Sequence, residues 1–323
     1  MIGSRLTSIE LCAGGGGQAL GLEQAGFNHI ALVELDKYSC ATLRHNRPHW
    51  NVINRDLHDF EGKGYGEVDL LSAGLPCPPF SVAGKQLGEN DERNLFPTAV
   101  RLIGEIQPRA VLIENVRGLL DKRFDEFRRD FEQKLQSLGY RGHWKLINAC
   151  DFGVSQLRPR VTFVALKGQA AARFDWPEHG SRNAKTVGDL LYDLVSVNGW
   201  MDAEKWKTTA SDIAPTIVGG SLKHGGPDLG PTRARKAWAA LGVDGLGIAD
   251  EAPSKGFKGA PKLTVRMVAR IQGFEDTWEF VGGKTAAYRQ VGNAFPPPVA
   301  QAVGKKIFDC LTSVQQGMEL QAV

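Results

Sequence analysis

Three short segments carry side chains that can act together on one substrate. In Gly74-Leu75-Pro76-Cys77-Pro78-Pro79-Phe80-Ser81, prolines on both sides of Cys77 restrict the backbone and hold the thiol in a defined direction. Glu114-Asn115-Val116 brings a carboxyl. Gln156-Leu157-Arg158-Pro159-Arg160 puts two guanidiniums at alternate positions, on one face if the segment is extended. A thiolate is a nucleophile, a carboxyl can bond or protonate a ring nitrogen, and a guanidinium can bond a ring oxygen while favouring the thiolate. Cys77, Glu114 and either Arg158 or Arg160 therefore form a set suited to nucleophilic addition to a polar ring. The other cysteines, Cys12, Cys40, Cys150 and Cys310, are widely spaced without a Cys-x-x-Cys pair, so neither a zinc site nor a disulfide framework is expected.

These segments follow apolar runs that must position them. Ser8 to Cys12, Ile30 to Val33, Asn51 to Ile53, Val68 to Ala73, Ala110 to Ile113 and Val161 to Leu166 read as strands. Helical patterns separate several of them, through Leu20, Leu22 and Ala25, from Tyr38 to His45, and from Phe127 to Leu138. Such continuous runs suit parallel strands covered on both faces, so the fold expected is a doubly wound, mostly parallel α/β sheet. In that fold ligands lie beyond the C-terminal ends of the strands, which is where Cys77 and Glu114 fall. The turn Gly14-Gly15-Gly16-Gly17 between the first strand and helix would let backbone amides approach a ligand, and Glu34 would accept both hydroxyls of a ribose. Asp56 could bond an adenine amino group. The pattern indicates a nucleoside cofactor, and leaves a dinucleotide and S-adenosylmethionine both open.

From about Gly168 to Pro261 the periodicity dissolves into a glycine-rich stretch of near-balanced charge, read as a smaller, loop-rich domain. Helical patterning returns at Leu263 to Ile271 and at Pro298 to Leu311. The net charge of +3 permits a nucleic-acid partner without demanding one. No apolar stretch has the length of a membrane span and no signal peptide is read, so a cytoplasmic protein is expected.

In order along the chain, Glu10-Leu11-Cys12-Ala13-Gly14-Gly15-Gly16-Gly17, Pro76-Cys77, Glu114-Asn115-Val116, Gln156-x-Arg158-x-Arg160 and Gln290-Val291-Gly292-Asn293 resemble the blocks of the DNA cytosine-5 methyltransferase family. Leu263 to Phe274 is similar to its penultimate block, with Arg266 at the arginine. The resemblance covers nearly the whole chain. It implies that Cys77 attacks carbon 6 of a cytosine and makes carbon 5 electron-rich, that Glu114 holds N3, and that Gln156 to Arg160 help bind the base. It implies S-adenosylmethionine as cofactor, held by Cys12, Gly14, Gly16, Gly17, Glu34, Leu35, Asp56, Leu57, Pro76 and Asn293. The partner implied is double-stranded DNA, met by Ser81, Lys85 and Gln86 of a catalytic loop, by Gln156, and by Thr216, Lys223 and Arg233 of the small domain. Residues 1–167 with 263–323 would form the catalytic and cofactor-binding domain, and 168–262 the target-recognition domain. A monomer without metal or membrane partner is expected, working on the same DNA site as a cognate restriction endonuclease.

Three positions depart from the family pattern. Cys12 stands where a Phe usually meets the adenine, Leu35 where a larger side chain follows the ribose-binding Glu, and Pro78 where a Gln follows the nucleophile. An NAD-dependent oxidoreductase would explain the glycine turn and Glu34, but leaves Pro-Cys, Glu-Asn-Val and the paired arginines idle. A non-catalytic DNA reader would not need Cys77, Glu114 and Arg160. A tRNA cytosine-5 methyltransferase shares the chemistry, and the recognition-like region favours DNA over it.

Overall fold

The apolar runs assemble into one seven-stranded sheet in the order β3-β2-β1-β4-β5-β7-β6. The computed structural model describes residues 6–76, 94–178, 184–219 and 227–321, with 314–321 as backbone. The strands are β1 (Thr7–Leu11), β2 (Asn28–Glu34), β3 (Val52–Asn54), β4 (Leu70–Gly74), β5 (Ala110–Val116), β6 (Tyr140–Asn148) and β7 (Pro159–Lys167). All but β7 run the same way, and β7 pairs antiparallel with both β5 and β6. The chain moves outward from β1 through β2 to β3, then returns to β4 on the other side of β1. The strand order therefore reverses between β1 and β4, the point beyond whose strand ends ligands lie in sheets of this kind.

Both faces are covered. One face buries Ile9, Leu11, Val33, Leu71, Val111, Ile113 and Phe163 against α3 (Phe96–Ile106) and α4 (Asp125–Ser137). The other buries Leu70, Leu112, Val164 and Leu166 with Leu22 of α1 (Gly17–Ala25) and with α11 (Pro297–Gln321). There α1 and α11 pack so closely that a Cβ on Gly21 would lie 2.3 Å from the Pro297 carbonyl oxygen. The C-terminal helix thus folds back onto the first helix.

A third cluster extends from Leu43 of α2 (Lys37–Asn46) and Trp50 into the middle and late chain. The stretch expected to be loop-rich carries four short helices joined by longer irregular segments, α5 (Gly168–Arg173), α6 (Val187–Ser196), α7 (Ala203–Thr209) and α8 (Thr232–Ala240). These helices are short and separated by Gly and Pro, so each offers too few apolar positions for a period to emerge. Val187, Leu191 and Val195 of α6 do share one buried face, and Trp206 and Trp238 bury beside them. Ala170, Ala171, Phe174 and Trp176 pack with the sheet instead. The chain then passes through α9 (Val265–Ile271) and α10 (Lys284–Asn293) before α11. Among the described residues no helix is long and apolar enough to cross a membrane, and no cluster of His, Cys, Asp and Glu could hold a metal ion.

Candidate active site and cofactor cradle

The turn after β1 lies at the point where the strand order reverses. Its backbone is left-handed at Cys12 (φ 55°), Gly14 (φ 53°) and Gly16 (φ 89°), which bends the chain sharply into α1. Glu34 at the end of β2 clamps the turn: Gly14 N–H donates to its Oε2 at 2.7 Å and Asp36 N–H to its Oε1 at 2.7 Å. Burial raises the Glu34 carboxyl above its ordinary range, and the bonds from Asp36 and Gly14 pull it back. Each oxygen keeps a lone pair for a further donor, such as a ribose hydroxyl.

The glycines divide by role. A Cβ on Gly14 would meet nothing within 4 Å, so this residue borders open space. Gly16 and Gly17, expected to serve the cofactor, are small because the protein itself presses on them. A Cβ on Gly16 would lie 2.6 Å from the Trp278 ring, and one on Gly17 2.3 Å from the Phe295 carbonyl oxygen. Trp278 also donates to Gly15 O at 3.1 Å, while Arg266 bonds the carbonyls of Glu275, Asp276 and Trp278 and so places that ring.

Leu35 is 63% exposed beside the cradle, its carbonyl held by Asn54. Asp56 is half-buried and caps the short turn Leu57–Asp59 by accepting from His58 N–H at 2.9 Å. Leu57 itself is buried in the core, so its side chain is withdrawn from any ligand. Asn293 is exposed at the end of α10, so close to Gly219 that a Cβ there would lie 2.1 Å from its Oδ1. Cys12 is half-buried, and its thiol is pushed up by burial and then by the carboxyls of Glu34, Asp56 and Glu10.

The second half of the site lies at the ends of β4, β5 and β7. Glu114 is paired in register with Gly74 of β4 and Thr162 of β7. Arg160 Nε lies 2.8 Å from Glu114 Oε1, and both side chains are largely buried. Glu114 Oε2 lies 3.9 Å from where a Gly74 Cβ would stand, so Gly74 leaves the space before this oxygen clear. Burial raises the Glu114 carboxyl, and Arg160 and then Arg158 act against that rise. Asn115 Nδ2 donates to Leu75 O at 3.3 Å and ties the chain leading into half-buried Pro76 to β5. Cys77, Ser81, Lys85, Gln86 and Lys223 lie outside the described residues.

The two arginines do not share a role. Arg158 is 0% exposed, and its guanidinium donates to the carbonyls of Ile217 (2.6 Å), Gly292 (2.7 Å) and Ala294 (3.0 Å). This corrects the expectation that Arg158 could meet a base, because the segment is not a regular strand there and β7 begins only at Pro159. Gln156 is corrected likewise. Its buried carboxamide accepts from Ile217 N–H at 2.9 Å and donates to Gln272, leaving no surface for DNA. Thr216 spends its hydroxyl on Leu157 O. Arg233 is exposed on α8. Sequence reasoning missed Gln272 and Tyr288, which complete this polar knot through Val291, Ala294, Val218 and Asp228 carbonyls. It also missed the buried pair Glu10 and Gln18; the available signal was a carboxyl within the apolar run Ile9-Glu10-Leu11.

The profile of the family described as C-5 cytosine-specific DNA methylase matches residues 6–309. The type II methyltransferase M.NgoMIV of Neisseria gonorrhoeae is 54% identical over 312 residues, covering 95% of this chain and 98% of that protein. M.NaeI of Lentzea aerocolonigenes is 53% identical over 320 residues, covering 97% and 77%. Among solved structures, a DNA modification methyltransferase encoded within an E. coli prophage superposes with a TM-score of 0.66 at 23% identity, covering 95% of this chain and 99% of that one. A DNMT2 variant from Spodoptera frugiperda gives 0.63 at 18% identity, covering 94% and 99%.

Proposed function

The chain belongs to the C-5 cytosine-specific DNA methylase family, and from that premise we propose that it methylates carbon 5 of a cytosine flipped out of a specific duplex sequence, through a transient bond from Cys77 to carbon 6. The observation that carries this is the placement of Glu114. Its carboxyl is buried, held by Arg160 on one oxygen, and faces Gly74 on the other, three residues before Cys77 in the chain. A buried carboxyl kept protonated can donate to N3 of cytosine. That draws electrons from the ring as the Cys77 thiolate adds to carbon 6, and leaves carbon 5 electron-rich. Arg160 fixes the carboxyl and stands beside the ring oxygen. Flipping the base costs a few kcal/mol of unstacking, met by contacts of the segment after Cys77 and of the helical middle region with DNA.

The cradle fits S-adenosylmethionine. Glu34 suits a ribose, Gly14 borders open space, and Gln18 has a buried carboxamide with neither atom bonded. Glu34 and Asp56 around the turn favour a cation and oppose the pyrophosphate of a dinucleotide, while Asp36 is paired with Arg289. Glu34, Gly14, Asp56 and Asn293 would hold it, and when bound it supplies the methyl group. The protein works as a cytoplasmic monomer, protecting a site that a cognate restriction endonuclease cuts.

The test is covalent trapping. DNA carrying 5-fluorocytosine at the target, with cofactor, should yield an adduct stable to denaturation with the wild type and none with Cys77→Ser. Cys77→Ser should keep cofactor affinity within about twofold and lose methyl transfer. Substantial turnover by that variant, or no trapping on a site the wild type methylates, rejects the mechanism. Bisulfite sequencing of a methylated mixed-sequence plasmid supplies the site.

A further inference from the structure

Glu10 has no part in the chemistry above, yet it is one of the most deeply buried carboxyls in the chain, 1% exposed near the end of β1. β1 runs from it through Leu11 into the turn where Gly14 borders open space. From α1, the Ala19 N–H bonds its carboxyl, and from β4 the Ser72 hydroxyl lies 3.4 Å from Oε2. From β2, Glu34 opposes its ionisation, and on its own strand's continuation the Cys12 thiol feels its charge. The nearby His29 of β2 is turned to other partners, Ser8 and the Ala19 carbonyl, and burial keeps it neutral. The groups acting on Glu10 thus include two weak donors and a second acid. Beside Ala19, Gln18 is 4% exposed with its amide nitrogen and oxygen both unbonded. Among the described residues no countercharge acts on this carboxyl, while the turn beside it is the proposed seat of a ligand with net positive charge.

We infer that Glu10 couples cofactor occupancy to a proton: it is neutral while the turn is empty and ionises when a sulfonium ligand enters. The inference rests on S-adenosylmethionine being the cofactor. At neutral pH that ligand carries a sulfonium and an ammonium against one carboxylate, a net positive charge, whereas S-adenosylhomocysteine has lost the sulfonium charge and is neutral overall. Glu10–COOH becomes Glu10–COO⁻ and its proton passes to the buffer; the neutral product offers no such exchange. Donor affinity relative to product affinity therefore rises with pH. Burial pushes the empty-state Glu10 carboxyl up to about 8, which sets the range. If only the ionised form takes the cation, the affinity ratio grows roughly 25-fold between pH 6.5 and 8.5, and roughly 0.9 proton leaves per donor bound at pH 7.

The experiment is titration calorimetry of the full chain with S-adenosylmethionine and with S-adenosylhomocysteine, in phosphate and in Tris at pH 7. A buffer-dependent enthalpy for the donor and none for the product is expected. Glu10→Gln, checked for folding by circular dichroism and melting, should abolish the release. Buffer-independent donor binding by the wild type, equal release with both ligands, or release that persists in Glu10→Gln overturns the inference while leaving the cofactor assignment standing. No binding of either ligand overturns both. The wild-type measurement decides the matter even if the variant fails to fold.

Discussion

Truncating Arg158 should unfold the protein more easily before it affects any substrate. Its guanidinium bonds three carbonyls, at Ile217, Gly292 and Ala294, from segments far apart in the chain. Hydrogen bonds from a charged donor contribute roughly 1.5–3 kcal/mol each, and an acceptor left buried and dry costs roughly 1–3 kcal/mol. Water entering the space left by the side chain recovers part of this, so Arg158→Ala should cost about 4 kcal/mol. In a chain of this length that is a melting shift of roughly 6 °C. The assay is thermal and denaturant unfolding of the protein free of DNA and cofactor, followed by circular dichroism. Arg158→Lys should recover only a fraction, because one ammonium cannot fork across three carbonyls. If Arg158→Ala melts within a degree of the wild type while affinity for DNA collapses, the assignment of Arg158 to the polar knot is wrong.

The glycine turn and the buried acid provide further tests. Gly17→Ala should destabilise the free protein by about 2 kcal/mol or more, since its Cβ would lie 2.3 Å from a backbone oxygen that cannot rotate away. Gly14→Ala meets no atom and should cost only about 1–2 kcal/mol for its left-handed backbone, but should weaken cofactor binding at least tenfold; melting and calorimetry on the two variants should therefore rank in opposite orders. The stability curve should show Glu10. Its carboxyl rises from 4.5 to about 8 on folding, so its contribution is whole below pH 4.5 and drains as pH climbs through 8, by at most roughly 5 kcal/mol. Chemical denaturation at stepped pH should find that slope flattened in Glu10→Gln, and an unchanged slope would contradict the burial argument.

What the sequence revealed, and what it hid, follows from the range of the forces involved. β1, β2, β4, β5 and β7 were legible because strands covered on both faces must be apolar throughout. β6 was not: Tyr140–Asn148 is an edge strand with Arg141, His143 and Lys145 among its residues, and its place comes from pairing with β7. Glu114 was legible near the ligand edge, with either Arg158 or Arg160 beside it, because each follows or ends an apolar run; that Arg160 is the partner needed the structure. Arg158 was misread since alternation predicts a shared face only inside a regular strand, and the acceptors that claim its guanidinium lie 59 to 136 residues away in sequence. Gly16 and Gly17 look identical to Gly14 in sequence; only Trp278 and Phe295, from the far end of the chain, separate packing from ligand approach.

The proton on Glu114 is set by a contest that can be tilted. Burial raises the carboxyl, and the opposing influences are the charge of Arg160, then the more remote charge of Arg158, then the hydrogen bond from Arg160. Burial prevails, so the acid form that donates to a ring nitrogen persists above the usual carboxylate range. Arg160→Gln removes the largest opposing influence and keeps a hydrogen-bond donor of shorter reach. Without that charge the acid should hold its proton to still higher pH. The alkaline limb of the kcat profile that depends on Glu114 should then move upward in pH, even as kcat itself falls through poorer placement of the carboxyl. Infrared titration of the Glu114 carboxyl, assigned by its loss in a Glu114→Gln background, reads the same shift without turnover. A limb that moves downward, or a carboxyl that titrates below the ordinary carboxylate range in both proteins, would mean that the guanidinium and not burial governs this acid, and the proton for N3 would have to come from elsewhere.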